Sequence, residues 1–386
     1  MGRNKKLQEI DLSLNSLVVF RKLLTHEVIL PLRALLDTES MDPMIQLRQY
    51  TEFISRLYAR STNLTEYVFR LICEDDNFYV RAVASGAEVD PMLEACVQNE
   101  LAILQRLARI RPHELQKEVS YYGVLPEWKT SDLDFGAEFH ARLREIGKYG
   151  YGKFADSSMF VIRDEQCRPV LHPDPIQLGD LIGYTAQRQA VIENTRVLLA
   201  GKPAQDVLLY GASGTGKSVT VKALANAFFS EGLRLIKVTR EQLPMLPELM
   251  EQVFDNPLKF IFYVDDLDLS AADSSMTVLR SVLEGALSAR AQNTAIYAVS
   301  STSADPEQTD GLHALTERFG LRVHFGMPDK TAYLQTVSAM AEQAHLRTAP
   351  EAIEAMAGVY ADQRGNFSPR TAKQFIRQLS AKSAAE

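Results

Sequence analysis

The stretch 207-VLLYGASGTGKSVT-220 decides how this chain is read. Its first four residues are apolar, glycines stand at 211, 214 and 216, and Lys217 and Ser218 follow directly. A short apolar run stopped by glycine reads as a buried strand, and the residues after Lys217 read as a helix. Gly211, Gly216, Lys217 and Ser218 keep the spacing G-x-x-x-x-G-K-[ST] of a phosphate-binding loop. Each residue type has a physical reason to be there. Glycine lets successive backbone N–H groups turn toward one point, which the free N–H ends of the next helix also face. A cradle of Gly211, Ala212, Ser213, Gly214, Thr215 and Gly216 would hold phosphate oxygens. Lys217 would reach the β- and γ-phosphates, and the Ser218 hydroxyl would take a place on Mg2+.

A metal also needs a carboxylate, and 260-FIFYVDD-266 ends an apolar run with two. Acids at the end of a buried strand are costly unless a cation or hydrogen bonds meet them. Asp265 is the expected Mg2+ ligand, through water, and Asp266 the group that orients an attacking water. The alternative is that both acids cap the helix that follows. Outward from these motifs, apolar runs alternate with helical patterns. Strands are expected at 206–211, 233–238, 259–266, 295–301 and 321–325, with helices at 185–201, from Lys217 to about Phe229, near 246–254 and at 274–290. Apolar runs without polar alternation, each separated by a helix, imply a parallel sheet covered on both faces. Three helical patterns close the chain, from about Lys330, Pro350 and Ser368.

The front of the chain differs. Up to about residue 120 it reads as helix after helix. Leu47, Tyr50, Ile54 and Leu57 share one helical face, and Leu93, Val97, Leu101, Leu104 and Ala108 form another stripe behind the Asp90-Pro91 start signal. The pattern loosens around Trp128, a further helix is expected from Glu138 to Lys148, and 158-SMFVIRDEQCRPVL-171 reads as a hairpin. Two prolines in 172-HPDPIQLGD-180 make a hinge.

Composition narrows the function classes. With 46% hydrophobic and 24% charged residues the chain is ordinary globular protein, long enough at 386 residues for two or three domains. A net charge of −7 advertises no broad basic surface for nucleic acid. Three cysteines without a CxxC pair suit reduced thiols and a cytoplasmic location. The longest apolar stretch, 12–36, is interrupted by Arg21, Lys22, His26 and Glu27, so it reads as a buried or partner-facing helix and not a membrane span. The basic start 2-GRNKK-6 runs into Glu9 and Asp11, unlike a secretory signal.

The order of motifs resembles an AAA+ ATPase. The segments 176-IQLGDLIGYTAQRQAVIENT-195, 207-VLLYGASGTGKS-218, 263-YVDDL-267 and 317-ERFGL-321 are similar to a bacterial family of uncharacterised AAA+ ATP-binding proteins. The likeness covers about residues 150 to 383 well and the front half loosely. It implies an α/β fold: a P-loop NTPase parallel sheet flanked by helices, a C-terminal helical lid and an N-terminal all-helical domain. The corresponding divisions are 1–149 helical accessory domain, 150–175 hairpin and linker, 176–328 nucleotide-binding core and 329–386 lid.

The resemblance also implies roles for single residues. Ile182 and Gly183 match the segment that holds adenine. Ser301, with Ser300 beside it, takes the place of the polar residue, usually Asn or Thr, at the end of the fourth strand. Arg318 matches the arginine finger that acts in a neighbouring subunit's site; as an alternative it is a cation placed favourably at its own helix C-terminus. Arg370, in the first turn of a helix capped by Ser368 and opened by Pro369, matches the lid arginine that touches the γ-phosphate. A cation there opposes the helix dipole, which a bound anion would explain; a surface ion pair is the other account.

One departure concerns turnover. Many AAA+ proteins carry Glu as the second acid, where this chain has Asp266. Misplacing a water-orienting group by about 1 Å costs on the order of a hundredfold, so slow hydrolysis is expected unless a partner or neighbouring subunit repositions the site.

Three jobs are open: an oligomeric ATPase that remodels or loads a macromolecule, a slow switch presenting its helical front to a protein partner, and a scaffold that binds ATP structurally. Peptide threading by an aromatic-glycine loop is disfavoured, because 239–257 has no glycine and no aromatic before Phe254. For nucleic acid, only 148-KYGYGKF-154 interleaves Lys with aromatics; a solvated turn is the other reading.

Overall fold

The computed structural model describes residues 5–36, 42–269, 274–285, 292–302, 313–346 and 348–383. The chain divides into two units, Met1–Asp156 and Ser157–Glu386. Residues 1–4, and 286–290 at the end of the 274–290 helical pattern, lie outside the described residues.

Among the described residues the first unit is helical. Its helices are α1 (Lys5–Leu14), α2 (Ile29–Ala34), α3 (Pro43–Tyr58), α4 (Leu64–Glu74), α5 (Phe78–Ala84), α6 (Pro91–Ala108), α7 (Pro112–Gln116), α8 (Phe135–Arg144) and α9 (Ile146–Tyr149). Asp42 and Asp90, each followed by proline, accept a hydrogen bond from the N–H two residues on, the N-cap chemistry the sequence announces. Trp128 closes the core against Phe53 at 5.1 Å between ring centroids, and its indole N–H donates to the Ile110 carbonyl.

Two expectations change here. Residues 12–36 do not form one helix: α1 stops at Leu14, a 3-10 turn spans Arg21–Thr25 and α2 begins at Ile29. The physical reason is Glu100. Its buried carboxylate accepts the backbone N–H groups of Val18, Val19 and Phe20, which therefore leave the helical ladder. The 138–148 pattern likewise splits between α8 and α9.

The second unit is built on a sheet. Its strands are β1 (Met159–Arg163), β2 (Gln166–Pro169), β3 (Val207–Gly211), β4 (Leu233–Val238), β5 (Lys259–Val264), β6 (Thr294–Val299) and β7 (Leu321–Phe325). Among the described residues they form a seven-stranded sheet in the order β2-β1-β4-β5-β6-β3-β7. All pairs are parallel except the β1–β2 hairpin. The hairpin was expected in a linker; instead Phe160 pairs with Ile236, which makes it the edge of the sheet. Pairing through β4 is a long-range choice that local pattern cannot announce.

Helices α10 (Thr185–Leu199) and α11 (Lys217–Ala227) cover one face, where Leu209, Ile261, Tyr263, Tyr297 and Val299 pack with Val191 and Leu224. Alternate residues such as Leu208, Ile236, Phe262 and Ile296 are also fully buried on the opposite side, which is why these strands lack polar alternation. The remaining helices are α12 (Leu246–Gln252), α13 (Ser274–Leu283), α14 (His313–Thr316), α15 (Lys330–Gln343), α16 (Pro350–Arg364) and α17 (Pro369–Ser383). The last three share a core of their own around Tyr333, Ile353, Ala357 and Phe375. No helix among the described residues is long and apolar enough to cross a membrane.

Candidate functional site

Parallel strands bring their carboxyl ends to one edge of the sheet, and β3 lies there between β6 and β7, both later in the chain. Such a switch in strand order opens a crevice at that edge. The loop from β3 into α11 lines it. Gly211, Gly214 and Gly216 have φ values of 125°, 83° and 100°, which L side chains rarely adopt. Space adds a second constraint. A Cβ on Gly211 would overlap the Phe325 carbonyl, and one on Gly214 would lie 2.9 Å from the Ser368 hydroxyl. The lid closes on the same loop: the Arg370 N–H donates to the Gly214 carbonyl at 3.1 Å.

The Lys217 side chain is buried at this turn, and its ammonium lies 2.7 Å from both the Gly211 and Ala212 carbonyl oxygens. Burial, followed by the positive charge of Arg370, pushes that ammonium down to about 8, against the pull of Asp266 and Asp265. Ser218 donates to Asp265 Oδ1 at 2.9 Å, and Lys237 Nζ lies 3.6 Å from Asp265 Oδ2. Asp266 follows with φ of 51° and an exposed side chain. A residue other than glycine held there stores strain, and such strain collects at functional sites. Ser300 is buried, its hydroxyl 3.1 Å from that of Thr302, while Ser301 is exposed beside it.

These elements enclose a cavity of about 270 Å³. Of the residues singled out from sequence, Ile182, Ser213, Gly214, Thr215, Gly216 and Lys217 line it. Ser218, Asp266, Ser301 and Arg370 complete that set. Gly211, Ala212 and Asp265 are not among the lining residues, though Asp265 accepts a hydrogen bond from the lining Ser218. Gly183 is exposed at φ 73° next to the lining residue Ile182. Arg318 is not part of the lining; its guanidinium pairs with Glu284, just past the end of α13.

Sequence reading missed Arg188, Met340 and Lys373 in the cavity wall. Arg188 donates through both terminal nitrogens, to the Leu181 and Ile182 carbonyls, and so fixes the turn ahead of α10. Burial lowers its guanidinium to about 10. A signal existed, since Arg188, like Arg370, is a cation in the first turn of a helix. Met340 gave none, because an apolar residue on the lid helix α15 reads as core.

Elsewhere, the 148–154 segment is mixed: Lys148, Tyr149 and Lys153 are exposed, and Gly150 and Phe154 are buried. The Arg142 guanidinium caps the Tyr149 ring at 4.7 Å, and Phe154 is buried. Phe154 therefore offers no open stacking face, and the exposed Tyr149 ring already carries Arg142 on one side.

The strand order, the glycine loop leading into α11 and the three-helix lid define an AAA+ ATPase-like protein. Residues 156–383 match the family described as "Protein of unknown function (DUF815)", and the chain belongs to it. Among curated proteins it is 30% identical over 132 residues to the 26S proteasome regulatory subunit 6B homolog of Schizosaccharomyces pombe, a match covering 30% of this chain and 32% of that one. It is 30% identical over 104 residues to the 26S proteasome regulatory subunit 4 homolog of Encephalitozoon cuniculi, covering 23% and 24% respectively. The chain thus spans a third or less of the length of these relatives. Among solved structures, the RuvB Holliday junction branch migration motor of Thermotoga maritima is similar at a TM-score of 0.38 and 16% identity, covering 52% of this chain and 63% of that one.

Proposed function

We propose that the chain is a Mg2+-dependent ATPase that couples ATP binding and slow hydrolysis to remodelling or loading of a macromolecular partner. One observation carries this: Lys217, Ser218 and Asp265 converge at a loop whose three glycines have positive φ angles, two of them, Gly211 and Gly214, with no space for a Cβ. The donors suit a Mg2+–triphosphate. Lys217 is a buried ammonium whose described hydrogen-bond partners are the neutral carbonyls of Gly211 and Ala212 and the Thr215 hydroxyl, and phosphate oxygens would supply the missing negative charge. Ser218 and Asp265 are hard oxygen donors of the kind Mg2+ takes, together with waters. Mg2+ bound there would neutralise charge on the transferring phosphoryl group.

In this scheme Ile182 and Gly183 hold the adenine, Asp266 orients water, Ser301 meets the γ-phosphate side and Arg370 reaches it from the lid. Arg318 acts on a neighbouring copy, so the working form is a homo-oligomer. Residues 1–149 present a surface to a protein partner, 176–328 together with the β1–β2 hairpin form the core, and 329–386 form the lid. Three free cysteines support a reducing, cytoplasmic setting. A second reading, a switch with little turnover, draws on the short Asp266 side chain and on the pairing of Arg318 with Glu284 in the same chain.

ATP turnover and solution mass, measured over a range of protein concentrations, separate the two. The ATPase reading expects turnover that rises more steeply than protein concentration and falls in Arg318→Ala by 10³-fold or more, the order of an arginine finger's contribution. A monomer that binds ATP tightly and turns none over supports the switch instead.

A further inference from the structure

Tyr263 and Tyr297 face each other in the β5–β6 ladder, on the side of the sheet that α10 and α11 cover. They are 1% and 0% exposed. A buried hydroxyl needs a partner. Tyr297 has two on α10, Thr195 Oγ1 at 2.8 Å and Asn194 Nδ2 at 3.1 Å. The Tyr263 hydroxyl is buried and makes no hydrogen bond of full geometry among the described residues. Phenylalanine would avoid that cost, and the same strand uses it at 260 and 262.

Where the hydroxyl sits is informative. Side chains alternate along a strand, and Asp265, the first residue past the end of β5, follows Tyr263 by two positions. Burial first, and then a loose hydrogen-bonding approach to the Asp265 carboxylate, raise the Tyr263 hydroxyl well above its ordinary value, while a similar approach to Ser218 acts the other way. The unpaired group therefore adjoins the two oxygen donors of the candidate metal site. In the state described here Asp265 Oδ1 is taken by the Ser218 hydroxyl and Oδ2 faces Lys237.

We infer that Tyr263 is a positioning residue for the metal carboxylate: its hydroxyl donates to Asp265 when a divalent cation draws the Ser218 hydroxyl away. This rests on the Mg2+-nucleotide reading proposed above. A carboxylate that loses its hydrogen bond from serine and gains none would be free to rotate off the cation. A second donor, already buried and already oriented by the strand, prevents that. Partners of this outer kind are worth about 10–100-fold in metal affinity.

The test is Tyr263→Phe in the full chain, with a fluorescent ATP analogue titrated in EDTA and then across a Mg2+ series. Affinity in EDTA is expected to match the parent, and the nucleotide-free melting temperature to stay level or rise, since an unpaired buried hydroxyl has gone. The Mg2+ concentration giving half of the metal-dependent tightening should rise about tenfold. In an Asp265→Asn background the same change should add nothing. An unshifted Mg2+ midpoint, or an equal loss with and without Mg2+, overturns the inference while the site reading stands. A parent chain that binds no ATP in either condition overturns the site reading, and this inference with it.

Discussion

Glu100 in the helical unit and Lys217 in the sheet unit are both charged side chains buried among backbone groups, and the two are opposites. In the helical unit the Glu100 carboxylate accepts three main-chain N–H groups, from Val18 at 2.7 Å, Val19 at 3.1 Å and Phe20 at 3.0 Å. In the sheet unit the Lys217 ammonium donates to two main-chain carbonyls at 2.7 Å. Glu100 holds its partners in place: the chain between α1 and α2 takes its course because those N–H groups turn to the carboxylate. Lys217 has partners that could be given up, since a carbonyl loses little when an ammonium turns to phosphate. A buried charge that organises its surroundings is structural. One resting on replaceable partners beside a cavity is a binding group.

The largest expected effect breaks the structural half of this comparison. Glu100→Ala strands three N–H donors, at about 1–3 kcal/mol each when they stay buried. A loss of about 3–5 kcal/mol in the unfolding of the helical unit is expected, read by urea denaturation, with nucleotide affinity in the folded fraction unchanged. A loss under 1 kcal/mol would mean that water reaches these groups and that Glu100 organises nothing.

Lys217→Ala is the counterpart and should behave in reverse. A hydrogen bond to a charged group is worth about 1.5–3 kcal/mol, so losing contacts to two phosphates should weaken ATP binding roughly a hundredfold or more. The melting temperature without nucleotide should hold or rise, because a desolvated ammonium has been removed. Normal ATP binding in this variant would show that the loop is not the site.

Legibility from sequence follows the range of the forces involved. The glycine loop was readable because strand, turn and helix start are set within a few residues by φ preferences and a strand-ending apolar run. The β1–β2 hairpin was readable as a hairpin but not as an edge of the sheet, since its partner β4 is chosen by packing far along the chain. Glu100 lay one turn from the apolar positions Val97 and Leu104, a visible acid on a buried face, yet nothing local said which amides it would take. Tyr263 was hidden differently. In an apolar strand its ring reads as core, and only the neighbouring strand's Tyr297, with its two partners, makes the unpaired hydroxyl noticeable.

The smallest effect is the most discriminating, because it depends on pH in two opposite senses. Folded and without nucleotide, Lys217 sits at about 8, below its ordinary 10.5, mainly through burial. Its folded value is depressed, so the unfolded chain holds more protons between those limits. The penalty on the folded state is full below pH 8 and is relieved as pH rises toward 10.5, so this group makes the free protein more stable at higher pH. Binding runs the other way. A triphosphate favours the charged ammonium and returns its value upward, so binding takes up a proton once the free amine has formed. Affinity should be flat below neutrality and fall about tenfold between pH 7 and pH 9, since each unit of mismatch is worth about 1.4 kcal/mol. Calorimetry at pH 9 in two buffers of different ionisation enthalpy should register that proton, and Lys217→Ala should abolish both the uptake and the slope. A wild-type affinity that stays level to pH 9 would mean the ammonium is fully charged before any anion arrives, leaving it as well satisfied by its own chain as Glu100 is.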